Sequence, residues 1–169
     1  MNVILIDLIF NNSTKFPQPD KADIPISGIR YQVIGKSNQE IKLITFINSN
    51  IIPNASDSVE FVDDEYNLIK RVFNIISDGD TCEGSFIIDW TGFDYQYLIG
   101  RMLRLALPFP YTTGHLAIAS VYKRKYPNQS LRLQDIYEKT NGIAPMGEFS
   151  IFKFNTMKIL YNMYVNFIQ

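Results

Sequence analysis

Two runs of nearly continuous apolar residues stand out along the chain and predict buried strands. The first is "NVILIDLIF" at residues 2–10, and the second is "GSFIID" at residues 84–89. Strands buried on both faces of a sheet have this pattern. Between them, residues 28–36 and 40–48 alternate apolar and polar positions around "SNQ", which predicts a β-hairpin.

Apolar residues at helical spacing predict a crossover helix over residues 63–78, with acidic residues in its first turn. Further helices are predicted over about 94–106, 115–125, 131–141 and 149–167. Strands that alternate with helices in this order are typical of a mixed β-sheet flanked by helices. The pattern therefore predicts the α/β class, and a length of 169 residues predicts a single domain over 1–169.

The composition indicates the cellular compartment and excludes some kinds of site. The hydrophobic fraction of 46% argues against disorder. The single cysteine, Cys82, excludes an intramolecular disulfide and a cysteine-built zinc site. No apolar run reaches the roughly 18 residues of a membrane span, and no leader opens the chain. These features predict a cytoplasmic, reducing environment and no membrane partner.

Charge is spread unevenly although the net charge is only −1. Ten acidic residues lie between positions 57 and 94, against two basic ones, whereas residues 95–134 contain no acid. The basic residues of that second stretch are Arg101, Arg104, Lys123, Arg124, Lys125 and Arg132. Such segregation predicts a positive surface, and the alternative is a helix with a solvated basic face.

Two aspartates are the strongest candidates for chemistry. Asp7 interrupts the first apolar strand, where an unpaired carboxylate is costly to bury, and Asp94 opens the helix after the second strand. Sites in α/β sheets collect at strand ends, where both would lie. The alternative is that each has a separate structural role, with Asp94 as a helix cap.

With these elements in place, three segments resemble motifs of the DEDD (DnaQ-like, ribonuclease H-like) 3′–5′ exonuclease superfamily. The segments are "VILIDLIF", "DEYNLIKRVFNIISDGD" and "WTGFDYQYLIGRM". They are most similar to the proofreading exonuclease domain of family B DNA polymerases. The resemblance implies a ribonuclease H-like mixed sheet flanked by helices, the exonuclease fold, over nearly the whole chain.

The resemblance also implies a chemistry that needs four carboxylates. They hold two divalent ions, Mg²⁺ or Mn²⁺, about 3.5–4 Å apart. Asp7 and Asp94 match two of the four acids, but Ile9 stands where the first motif has glutamate. Residues such as Trp90 or Thr91 replace the asparagine of the second motif, Asn-x-x-x-Phe-Asp.

The third motif lacks its acid as well. Asn155 or Thr156 stands where its aspartate would be, and residues 149–169 contain no carboxylate. The only histidine, His115, lies too early in the chain to serve readily as the general base of the histidine-type branch. Three carboxylates elsewhere are candidates to replace a missing ligand: Asp89, Asp135 and Glu148.

Five residues are candidates to contact nucleic acid: Trp90, Phe93, Arg101, Arg104 and Lys158. The aromatic rings would stack on bases, at about 1–3 kcal/mol per base. For Phe93 core packing is the preferred alternative. Lys153 and Lys158 lie in the helix that should bring the last aspartate, where an ammonium could bind phosphate without a metal ion. The alternative is that both lysines simply lie on the solvated side of that helix.

The sequence thus favours a degenerate, catalytically inactive exonuclease-like domain that requires no cofactor. It would bind single-stranded nucleic acid or a replication protein as an accessory module. One alternative is an active but atypical 3′–5′ exonuclease that uses Mg²⁺ or Mn²⁺ with Asp7, Asp94 and a displaced carboxylate. Another is a structural or protein-interaction component of a virus or mobile element.

Overall fold

The structure is a computed structural model that describes residues 2–11, 17–34, 40–46, 50–55, 57–77, 84–141 and 149–168. The chain divides into two compact units, Met1–Leu116 and Ala117–Gln169. The single domain predicted over 1–169 stays a prediction. Cys82 lies outside the described residues.

Among the described residues, the first unit contains a sheet and two helices, and the second contains three helices. The strands are β1 (Asn2–Ile9), β2 (Gly28–Ile34), β3 (Lys42–Phe46), β4 (Ser58–Val62), β5 (Ser85–Asp89) and β6 (Thr112–Ala117), of which β6 ends at the boundary between the units. The helices are α1 (Glu65–Ser77), α2 (Phe93–Arg104), α3 (Ile118–Lys125), α4 (Leu133–Asn141) and α5 (Phe149–Ile168). Within the described part of the chain, no helix is long and apolar enough to cross a membrane.

The sheet is mixed, with strand order β4-β3-β2-β1-β5-β6. Strand β1 pairs antiparallel with β2 and parallel with β5, while β3 pairs antiparallel with β2 and parallel with β4. Between the parallel strands β1 and β5 the chain passes through β2, β3, β4 and helix α1. The predicted α/β class with a mixed sheet and flanking helices is confirmed.

Side chains of β1 alternate between the two faces of the sheet. Ile4, Ile6 and Leu8 belong to the core that the sheet forms with α1 and α2. Leu5 is fully buried but lies outside that cluster, on the opposite face, where the alternation also places Asp7. The continuous apolar pattern of β1 therefore reflects burial on both faces, as predicted.

An ion pair ties the two helices of this unit together. The Arg101 guanidinium of α2 donates to both carboxylate oxygens of Glu65 in α1, with an Nε–Oε1 distance of 2.9 Å, and to the Ala22 carbonyl. Glu65 also accepts the backbone N–H of Ile26 at 2.6 Å. Both charged side chains are largely buried, at 9% and 13% exposure. The pair thus joins α1, α2 and the segment that leads into β2.

Two parts of the secondary structure differ from the prediction. Residues 58–62, for which the pattern predicts neither strand nor helix, form a fourth strand, β4, which pairs parallel with β3 at the edge of the sheet. The helix predicted over 115–125 begins only at Ile118, because residues 112–117 form the other edge strand, β6. His115 is therefore a strand residue rather than a helical one.

Candidate site at the junction of β1, β5 and α2

Asp94 lies against the backbone of β1. Its Oδ1 accepts the Leu8 N–H at 3.3 Å, and its side chain is 7% exposed. The pairing of β1 with β5 ends at Leu5, opposite Ile88, so β5 offers no strand partner to the end of β1 on that side. The Asp94 carboxylate accepts a hydrogen bond there instead, from the N–H of Leu8, which follows Asp7 in the chain. The structure thus brings the two predicted aspartates to the same end of the sheet.

Asp94 is not the cap of its helix. Helix α2 begins after Gly92, whose φ of 91° is left-handed and whose position makes no side-chain cap hydrogen bond. The capping oxygens come from Asp89 at the end of β5: Oδ1 accepts Gly92 N–H at 2.7 Å and Oδ2 accepts Tyr95 N–H at 3.0 Å. Asp89 is completely buried. The helix-cap alternative for Asp94 is therefore wrong, and the Asp89 side chain caps the start of α2 instead.

Asp89 also holds the only histidine of the chain. His115 Nε2 lies 3.1 Å from Asp89 Oδ1, and its ring stacks on Tyr95 at a centroid distance of 4.5 Å. The Tyr95 hydroxyl in turn lies 3.2 Å from the Thr112 hydroxyl. Asp89 thus accepts the Tyr95 N–H of α2 and contacts His115 of β6. It ties both elements to the end of β5.

The position of Asp89 also corrects the motif alignment. Counting back through Asn-x-x-x-Phe-Asp from Asp94, the asparagine position falls on Asp89, not on Trp90 or Thr91. An aspartate has the shape of an asparagine and accepts backbone hydrogen bonds with either oxygen.

Two of the three candidate replacement carboxylates, Asp89 and Asp135, have described positions. Asp89 turns both oxygens toward its own turn and His115. Asp135 is an exposed residue of α4 in the second unit, and Glu148 lies outside the described residues. Among the residues with described positions, no group of three or more His, Cys, Asp or Glu side chains could hold a metal ion. Whether the site binds a metal stays a prediction.

The predicted nucleic-acid contacts of the first unit separate into two groups. Phe93 packs against Phe10 and Tyr97, with ring centroids 6.2 and 5.5 Å away, so core packing is its role. Arg101 is committed to Glu65 and is 8% exposed, which corrects its assignment as a phosphate contact. Trp90 is partly exposed in the turn before α2, and Arg104 is exposed at the end of that helix. These two remain candidate contacts.

The predicted contacts of α5 lie in the second unit. Lys158 is partly buried and Lys153 is 9% exposed, so neither forms a fully solvated helix side. Thr156, one of the two residues at the third-motif position, is fully buried and donates to the Phe152 carbonyl at 2.8 Å. Asn155, the other, is partly exposed. A phosphate contact by Lys158 stays a prediction.

Burial lowers the pKa of Lys158 below its ordinary value. Above the lowered pKa the folded chain binds fewer protons than the unfolded chain, so folding stability rises with pH until the unfolded lysine also titrates. We expect Lys158→Met to raise Tm by about 1–2 °C at pH 7 and to show a smaller rise in Tm between pH 7 and 10. Thermal melts of the full chain at several pH values measure both effects. The exposed Lys123→Met is the control, and an equal response of the two variants would contradict the expectation.

Comparison with solved structures shows a similar fold in a DNA polymerase. The chain is similar to the family B DNA polymerase from the hyperthermophilic archaeon Pyrobaculum calidifontis, with a TM-score of 0.52 and 14% identity. The match covers 85% of this chain and 18% of the polymerase chain. No protein-family model and no curated protein matches the sequence. At this identity the likeness shows the fold alone, and it agrees with the predicted ribonuclease H-like fold.

Proposed function

We propose that this chain is an exonuclease-fold module that binds single-stranded nucleic acid, as a replication accessory, without hydrolysing it. The observation that carries the proposal is the arrangement at the end of β1 and β5. Asp94 accepts the N–H of Leu8, the residue after Asp7, while Asp89 at the end of β5 accepts two backbone N–H groups of the turn before α2. We infer that Asp7 and Asp94 mark the position of the family's two-metal centre and supply only part of its charge.

The charge balance argues against two-metal hydrolysis. Two divalent ions bring four positive charges, and hard cations of this kind need several carboxylate oxygens. Asp7 and Asp94 supply two negative charges, and one Asp94 oxygen already accepts the Leu8 N–H. Ile9 brings none where the family has glutamate. Two carboxylates would hold one ion weakly, which is too little for the two-metal reaction.

The binding side of the proposal rests on the two ends of α2. Trp90 precedes the helix and Arg104 ends it, and both are accessible. A helix of 12 residues is about 18 Å long, so one ligand that contacts both residues must be a strand of several nucleotides. A stacked base near Trp90 and a phosphate near Arg104 would fit such a strand.

One pair of assays tests both halves of the proposal. A 3′-labelled single strand incubated with the protein and Mg²⁺ or Mn²⁺ should stay intact. The same strand in EDTA should bind, with an affinity that falls as salt rises. Arg104→Gln should weaken that binding several-fold and reduce the salt slope by about one. Lys70→Gln, which removes an exposed charge from α1, is the matched control and should change binding little.

The contrary outcomes are distinct. Metal-dependent shortening of the strand that Asp7→Ala abolishes would establish the atypical exonuclease instead. Absence of binding at low salt would remove the nucleic-acid role and leave the protein-interaction alternative. Binding that Arg104→Gln and Lys70→Gln weaken equally would show a general charge effect rather than a contact at α2.

A further inference from the structure

The second unit carries a charge opposite to that of the first. Residues 117–169 contain seven lysines and arginines and three acids, a formal charge of +4. The first unit has nine basic and fourteen acidic residues, a formal charge of −5. The near-neutral total therefore conceals a basic unit built from α3, α4 and α5. A basic surface of this kind attracts polyanions by a long-range, salt-sensitive force.

A cavity of about 250 Å³ opens within this unit. Its lining residues come from α3, from Tyr126 directly after it, and from α5: Val121, Tyr122, Arg124, Lys125, Tyr126, Leu160, Met163 and Tyr164. Three of these are tyrosines, and the only charged side chains among them are the two basic ones. The acids of α4, Asp135 and Glu138, are not part of the lining. The cavity thus combines an apolar, aromatic interior with a positive margin.

The aromatic rings and the cations stand close together. The Tyr122 and Tyr126 ring centroids are 4.9 Å apart at an interplanar angle of 48°. The ammonium of Lys125 lies 5.7 Å from the Tyr126 centroid, and that of Lys139 lies 4.9 Å from it. Burial, followed by the nearby Tyr126 and Asp135, raises the pKa of Tyr122, so its ring stays neutral and apolar. A flat apolar group bound here would have positive charge within reach of its anionic end.

We infer that this cavity receives a base of single-stranded nucleic acid, with the adjoining phosphate on Arg124 and Lys125. The inference rests on the proposed function and adds a second contact region, in a different unit from the α2 site. Aromatic faces that stack on bases beside a basic margin that tracks the backbone are the two parts of a single-strand binding surface. Such stacking accepts any base, so the contact gives affinity rather than sequence preference.

The test compares two probes of equal charge. A labelled oligothymidylate and an abasic strand of the same length both carry phosphates, but only the first carries bases. The wild-type chain should bind the oligothymidylate about ten-fold more tightly than the abasic strand. Met163→Trp, which fills the cavity without changing charge, should reduce that difference several-fold and leave binding of the abasic strand unchanged, while stacking at Trp90 accounts for the remainder.

Charge variants test whether the basic residues that line the cavity contribute more to binding than general electrostatic attraction does. Lys125→Gln should weaken binding of both probes, whereas Lys123→Gln, on an exposed neighbour outside the lining, should weaken it much less. Tyr164→Leu is a second cavity variant in case Met163→Trp does not fold, which thermal melts and circular dichroism report.

The remaining outcomes distinguish a failure of this inference from a failure of the proposed function. If the oligothymidylate binds but neither cavity variant reduces its advantage over the abasic strand, this inference fails and the proposed function stands. If neither probe binds at low salt, both fail. If a labelled acidic peptide with an aromatic residue binds and the oligothymidylate does not, the cavity is a protein-binding site and the inference is wrong.

Discussion

Replacing Arg101 with alanine is expected to lower the free energy of unfolding by about 3–5 kcal/mol. The side chain is 9% exposed and pairs with Glu65, which is 13% exposed. Its removal leaves a carboxylate in a mostly dry environment with only the Ile26 N–H as a remaining described donor. The Ala22 carbonyl also loses its donor. Urea unfolding followed by circular dichroism measures the loss.

A second ion pair in the same unit supplies the matched control. Arg71 pairs with Glu60 at 2.8 Å, but both side chains are nearly half exposed, at 48% and 42%. Exposed pairs contribute about 0–1 kcal/mol, so Arg71→Ala should change stability little. Arg101→Lys should fall between the two, because an ammonium cannot reproduce the two-point contact of the guanidinium. Equal losses for Arg101→Ala and Arg71→Ala would show that burial does not set the strength of the pair.

Replacing Asp89 with alanine is the second large expected effect, at about 2–4 kcal/mol. A lost helix cap costs about 1 kcal/mol, and a buried donor left without an acceptor costs about 1–3 kcal/mol more. Asp89 accepts from Gly92 and Tyr95 and contacts His115, and alanine replaces none of these hydrogen bonds. The same unfolding measurement detects the change. Asp89→Asn, which keeps one acceptor oxygen, should lose less.

The control for Asp89 is another aspartate that accepts a backbone hydrogen bond at the start of a helix. Asp64 Oδ1 accepts the Asn67 N–H at 2.9 Å at the start of α1, but this residue is exposed. Water can replace its oxygen, so Asp64→Ala should cost about 1 kcal/mol. A loss for Asp89→Ala no greater than for Asp64→Ala would mean that the buried turn finds other acceptors.

Most of the sheet follows from the sequence, because apolar continuity and alternation report burial directly. Strands β1 and β5 and the β2–β3 hairpin lie where the pattern predicts them. Strand β4 was missed because "SVEFV" is short, adjoins a polar loop and lies at an edge. The pattern predicts helix for the end of β6 because "HLAIAS" has an apolar spacing that both structures share. Its pairing with β5, a long-range interaction, decides between them.

The site could be predicted only in part. Composition and spacing brought Asp7 and Asp94 to one end of the sheet, but they could not show which acid caps α2. The sequence does contain a signal for this cap. Asp89 lies three residues before Gly92, a spacing at which an aspartate side chain can accept a backbone N–H. Charge alone gave no warning that Arg101 is buried, since a sequence cannot distinguish a basic residue with a distant acidic partner from one in water.

The central position of β1 has a consequence for the persistence of the site. The strand is flanked by β2 on one side and β5 on the other, and Leu8 N–H is held by Asp94. Amide hydrogens in such a strand exchange with solvent only when the whole unit opens, so those of β1 should be among the slowest in deuterium labelling. Asp7 and the Leu8 N–H that binds Asp94 thus lie on the part of the sheet that is expected to open last.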